Sequence, residues 1–87
     1  MHTGHWQVDV FLTEEDGRTH AIARLHTGTG ELSGDGTARR NPADANVPEI
    51  GDELAAARAL SALAHRLLET VVDDIEGVTH KSVRLRR

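Results

Sequence analysis

Over residues 6–13 apolar and polar side chains alternate. Trp6, Val8, Val10 and Leu12 fall on one side of an extended chain, and Gln7, Asp9, Phe11 and Thr13 on the other. A period of two with β-branched residues predicts a half-buried strand. Glu14-Glu15-Asp16-Gly17 then reads as a polar turn with glycine at its end. A second strand is expected over 18–26, with Thr19, Ala21, Ala23 and Leu25 inward and His20, Ile22, Arg24 and His26 outward. After a turn at Thr27-Gly28-Thr29-Gly30, a third strand over 31–39 points Leu32, Gly34, Gly36 and Ala38 inward. Glycine inside a strand marks a bulge or a close backbone approach. Together Ala21, Ala23, Gly34, Gly36 and Ala38 predict a nearly flat patch on which something long can lie close.

Residues 40–51 contain Asn41-Pro42 and Val47-Pro48 and read as a loop, since proline disfavours helical geometry in the residue before it. Asn46 followed by Glu49 has capping-box spacing, and Pro48 suits a first helical turn. A helical period follows over about 49–75. Ile50, Leu54, Ala57, Ser61, Ala64, Leu68, Val71 and Ile75 share one stripe, which Leu60, Leu63 and Leu67 widen. Such a helix spans about 37 Å at 1.5 Å per residue. An eight-residue strand reaches only about 26 Å, so part of the helix is expected to find another partner. Gly77 is the expected stop. The basic segment 79–87, with Val83 and Leu85 between its charges, reads as a short edge strand, a strand lent to a partner chain, or a tail. The expected fold is α+β. One domain, 1–87, packs a three-stranded antiparallel sheet (with a possible fourth, C-terminal strand) on one long helix in two layers.

Composition adds a constraint. The chain has 87 residues, and Trp6 and Phe11 are its only Phe, Trp or Tyr residues. Large rings supply much of the burial in small cores, so this core must rest on Leu, Val, Ile and Ala. A domain this small has a thin stability margin, and a second copy is expected to supply missing burial. The chain has no cysteine, which excludes disulfides, thiolate zinc sites and a cysteine nucleophile. That fits a reducing cytoplasm, the expected location. No apolar run approaches the about 20 residues of a membrane span, and the N-terminal residues lack a signal peptide's basic and apolar regions.

The net charge of −4 is unevenly spread. Residues 1–17 carry four acids and no Lys or Arg, and 49–76 carry seven acids against Arg58 and Arg66. Residues 18–40 hold four arginines against Glu31 and Asp35, and 77–87 hold Lys81, Arg84, Arg86 and Arg87 against no acid. An acidic chain is a poor non-specific nucleic-acid binder, because phosphate contacts depend on local positive charge. Any RNA contact must therefore use Arg18, Arg24, Arg39, Arg40, Lys81, Arg84, Arg86 and Arg87. Arginines on a sheet position phosphates without reading bases. The plainer reading of these residues is edge protection.

Catalytic chemistry finds little support. The glycines form neither GxGxxG nor a phosphate loop. No serine lies in a GxSxG context, and no nucleophile–base pair stands out. Six histidines are present, but none forms HExxH or a similar local pair, and surface positions are expected for them. No enzyme activity, metal, cofactor or small-molecule substrate is expected.

The run Arg39-Arg40-Asn41-Pro42-Ala43-Asp44-Ala45-Asn46-Val47-Pro48-Glu49-Ile50-Gly51-Asp52-Glu53-Leu54-Ala55-Ala56-Ala57-Arg58-Ala59-Leu60 resembles a family of small actinobacterial proteins of unassigned function. Trp6-Gln7-Val8-Asp9-Val10 and Ile75-Glu76-Gly77-Val78-Thr79-His80 resemble it too. The resemblance implies a link to dormancy and hypoxia, a homodimer, and a fold similar to ribosome hibernation-promoting factors and double-stranded-RNA-binding domains. It departs from those factors in its acidic helix and its few Lys and Arg. The reading that follows is a stress-associated homodimer that binds the ribosome or structured RNA. The alternative is a protein–protein interaction module with no nucleic-acid role. Asn41, Pro42, Asn46, Pro48 and Glu49 form either a rigid connector that launches the helix or a recognition loop.

Overall fold

A computed structural model describes residues 2–40 and 48–79. Three strands, β1 (Gln7–Glu15), β2 (Arg18–His26) and β3 (Glu31–Arg39), precede one helix, α1 (Pro48–Thr79). The strands form an antiparallel sheet in the order β1-β2-β3. The fold is α+β, a three-stranded sheet under one long helix. Asn41, Pro42 and Asn46 of the candidate loop lie outside the described residues, as do Lys81, Arg84, Arg86 and Arg87 and any fourth strand.

The first hairpin is tighter than the sequence suggests. Strand β1 runs on through Glu14 and Glu15, and the turn shrinks to Asp16-Gly17. Both turn residues have positive φ, 52° and 73°. That geometry matches strand twist in a two-residue hairpin and favours an Asp-Gly pair. It sets Glu15 opposite Arg18 and Val10 opposite Ala23. The second turn is closed by Thr27, whose amide donates to the Gly30 carbonyl at 2.9 Å. The Thr27 hydroxyl also accepts from the Gly30 amide at 3.1 Å.

The flat patch is covered by the chain's own helix. Ala21 and Ala23 are fully buried, with Leu25, Ala38, Ala55, Ala59 and Leu63 around them. A Cβ placed on Gly36 would overlap backbone atoms of Ala55 and Ala59, and one on Gly34 would overlap Ala59, Ala62 and Leu63. Glycine is required there because the two backbones approach too closely for any side chain. Among the described residues no large side chain is fully buried.

Helix α1 packs through the edge of the predicted apolar face that holds Leu63 and Leu67, not through its centre. The row Gly51, Ala55, Ala59, Leu63, Leu67 turns toward the sheet, with Ala55, Ala59 and Leu63 buried. The expected core stripe is rotated about 120–180° from Ala59 at about 100° per residue. Along it Ile50, Leu54, Ala57, Ser61, Ala64, Leu68 and Val71 are exposed. The reason is distance, since Gly34 and Gly36 bring the helix backbone so close to the sheet that the row over them is led by Ala55 and Ala59, with Leu63 joining the same buried cluster. The helix also passes through Gly77 to Thr79. Gly77 meets nothing within 4 Å and has no positive φ, so nothing there ends the helix.

Strand β1 departs from expectation in the same way. It reads as half-buried, yet Val8, Val10 and Leu12 are 42%, 37% and 46% exposed. Their register partners Leu25, Ala23 and Ala21 share their face and lie buried under α1. The helix covers β2 and β3 and leaves β1 bare.

Candidate nucleic-acid interface

The sheet's other face carries no helix and is paved with charges. Across it the rows read Gln7-His26-Glu31, Asp9-Arg24-Ser33, Phe11-Ile22-Asp35, Thr13-His20-Thr37 and Glu15-Arg18-Arg39. Most of these charges are consumed by neighbours. Arg24 Nε lies 3.2 Å from Glu31 Oε1, and its guanidinium sits over the Phe11 ring, 5.4 Å from the centroid. His26 stands between two acids, with Nε2 at 3.2 Å from Asp9 and Nδ1 at 3.3 Å from Glu31. His20 Nε2 is 3.1 Å from Asp35. These are charge pairs only when the histidine is protonated. The Gln7 amide donates to Asp9 at 2.8 Å.

The candidate arginines therefore separate. Arg24 is paired and stacked in mid-strand. Phe11, the outward aromatic, is taken by that same cation and is not a free stacking platform. Arg18 and Arg39 face each other at the far end of the sheet, about 20 Å from Arg24 at 3.3 Å per residue. Arg40 joins them because its amide donates to the Gly17 carbonyl at 2.8 Å, fixing the chain beside the first turn. Among the described residues, no ion pair forms on Arg18, Arg39 or Arg40. Like charges set directly opposite one another on a sheet repel, and Glu15 stands opposite Arg18 on its other side.

These residues line an open cleft of about 670 Å³ with Thr13, Glu15, Asp16 and His20. The arginines were legible as basic positions. Their gathering was not, because it needs the two-residue turn and the Arg18–Arg39 register. Thr13, Glu15, Asp16 and His20 were not singled out for this end. The available signal was Asp-Gly, which sets a two-residue hairpin and brings residues 13–20 together. Pro48 and Glu49 of the candidate loop open α1 and are exposed.

Other chemistry is sparse among the described residues. No group of three or more His, Asp or Glu side chains gathers as a metal site. No described helix is long and apolar enough to cross a membrane. On the helix flank, Arg58 donates to the Thr37 carbonyl at 2.7 Å, tying α1 to β3. His65 lies 3.1 Å from Glu69 one turn further on.

Residues 4–84 match the family model described as Rv2632c-like. The chain is 57% identical over 81 residues to the uncharacterised protein Mb1767 of Mycobacterium bovis, covering 93% of this chain and 86% of that one. It is 51% identical over 77 residues to the uncharacterised protein Rv2632c of Mycobacterium tuberculosis, covering 88% and 83%. The crystal structure of Rv2632c superposes with a TM-score of 0.82 at 49% identity, over 92% of this chain and 96% of that one. The chain belongs to the Rv2632c-like family, a family with mycobacterial members.

Proposed function

We propose that this member of the Rv2632c-like family is a non-catalytic, homodimeric binding protein. Its open sheet face meets phosphate groups of structured RNA, with the ribosome as the leading target. The observation that carries this reading is the gathering of Arg18, Arg39 and Arg40 at one sheet end, with no ion pair on any of them among the described residues. Fixed guanidiniums on a sheet suit backbone phosphates, which position a partner without reading sequence. The resemblance to hibernation factors and their stress-linked role supports the same target. The first experiment is co-sedimentation with ribosomes from a related actinobacterium at low and moderate salt. Binding that survives moderate salt supports the reading. Binding absent at low salt rejects it.

A protein partner without nucleic acid is the second reading. It is favoured by Asp9, Glu31 and Asp35, which occupy Arg24, His26 and His20 on the same face. On this reading, partners recovered by pull-down persist after nuclease treatment.

A further inference from the structure

Two apolar surfaces have no partner among the described residues, and they are adjacent. The first is the bare face of β1, with Val8, Val10, Leu12 and the neighbouring Trp6, which is 55% exposed. The second is the back of α1, with Ile50 at 62%, Leu54 at 42%, Leu68 at 36% and Val71 at 40% exposed. The two flanks of the helix differ. Arg58, His65 and Glu69 lie on one flank, and Arg58 ties that side to β3. Leu60, Ala64, Leu67 and Val71 lie on the opposite flank, toward β1. The floor over β1, that apolar flank and the helix back form one continuous apolar step.

The floor's own sequence indicates what it receives. Under α1, β2 and β3 present mainly Ala and Gly, with Leu25 and Leu32, to the row Gly51, Ala55, Ala59, Leu63 and Leu67. Strand β1 presents Val8, Val10 and Leu12 instead, and Trp6 precedes it. Residues of that size suit a helix face whose centre is small, and the helix back has Ala57, Ser61 and Ala64 between Leu54 and Leu68.

We propose that a second copy fills the step, so that the helix of each chain lies over β1 of the other. The arrangement rests on the homodimer proposed above and specifies its geometry. Two sheets face one another with both helices between them, side by side, and the two-fold axis runs along the strands. Each helix then contacts its own sheet through Ala55, Ala59 and Leu63, and the partner's β1 through its back. The charged faces of both sheets stay outside and free. The axis also sets the level of contact. Gly34 lies beneath residues 59–63 and pairs across β2 with Ala23, which pairs with Val10. Val10 of one chain therefore meets the stretch around Ser61 of the other.

The absence of native cysteine makes a direct test possible. In the double variant Val10→Cys/Ser61→Cys, no bridge closes within one chain, because Ser61 points away from the sheet that carries Val10. Mild oxidation is expected to give a reducible covalent dimer from the double variant and none from either single variant. A dimer by light scattering that the double variant fails to cross-link overturns this geometry and leaves the homodimer standing. So does cross-linking by Val10→Cys alone, which indicates edge-to-edge pairing of β1. A monomer at micromolar concentration overturns both. As a second readout, Trp6 is the only tryptophan, and its emission is expected to shift to the red on dilution through the dimer dissociation range. Leu54→Glu/Leu68→Glu should show the red-shifted emission at all concentrations, with an unchanged far-ultraviolet circular dichroism spectrum.

Discussion

Gly36 lies directly beneath Ala59, so close that a single methyl group on residue 36 would overlap the Ala59 amide nitrogen. This contact decides how α1 sits. It brings the helix down onto β2 and β3 through Ala55 and Ala59, with Leu63 beside them, and turns Ile50, Leu54, Leu68 and Val71 outward.

Gly36→Ala should therefore destabilise the fold by about 2–3 kcal/mol, because helix and sheet must separate to admit the methyl group. Gly34→Ala should act similarly. Gly28→Ala is the control, since a Cβ there meets nothing within 4 Å, and its effect should stay within about 0.5 kcal/mol. Urea denaturation of the three variants measures the difference. Equal midpoints for Gly36→Ala and Gly28→Ala would contradict the close packing.

Truncating two leucines of the same helix should have opposite outcomes. Leu63 is 5% exposed in the core, and Leu63→Ala should cost about 2–4 kcal/mol. Leu54 is 42% exposed on the helix back, and Leu54→Ala should cost under about 0.5 kcal/mol in dilute protein. If the proposed dimer forms, the Leu54 variant should lose stability relative to the parent at high protein concentration, because association stabilises the folded parent by mass action. Thermal denaturation over a range of protein concentrations tests both points.

The Asp16-Gly17 turn offers a third test. Gly17 has φ of 73°, in the left-handed region that side chains resist. Gly17→Ala should cost about 1 kcal/mol. It should also loosen Arg40, which is held by the Gly17 carbonyl. If RNA is the ligand, this variant should weaken RNA binding more than its stability loss explains, as read at a temperature where it is fully folded.

The arginines should not be equivalent in RNA binding. Replacing Arg18, Arg39 and Arg40 with Ala should flatten the dependence of log affinity on log salt, by about 0.7–0.9 per lost phosphate contact. Arg24→Ala should change it little, because Glu31 already occupies that guanidinium. Filter binding to a structured RNA at several salt concentrations distinguishes them. A larger effect from Arg24→Ala would place the contact in mid-sheet.

Much of this architecture was legible from the amino-acid pattern, for local reasons. Alternation marks strands, turn glycines mark hairpins, and a period of 3.6 marks the helix. Strands β2 and β3 have the bounds their alternation predicts. The glycines at 34 and 36 announced a close approach before anything was known to approach. The family could be inferred from the run 39–60.

What only the tertiary structure decided was the use of each apolar surface. By hydrophobicity, Ile50, Leu54, Leu68 and Val71 are the natural core of the helix and Val8, Val10 and Leu12 that of the first strand. Periodicity identifies an apolar face but not its partner. Here close contact at Gly34 and Gly36 selects the row of Ala55, Ala59 and Leu63, whose two alanines no hydrophobic ranking would place first. One helix also spans only two of three strands. The positions of Arg18, Arg39 and Arg40 had the same origin. Each was visible as a charge, and only cross-strand register and a two-residue turn brought the three together. Local pattern thus set the elements, whereas distances of closest approach and register, which depend on residues far apart in the chain, set which surfaces were buried and which were left to bind.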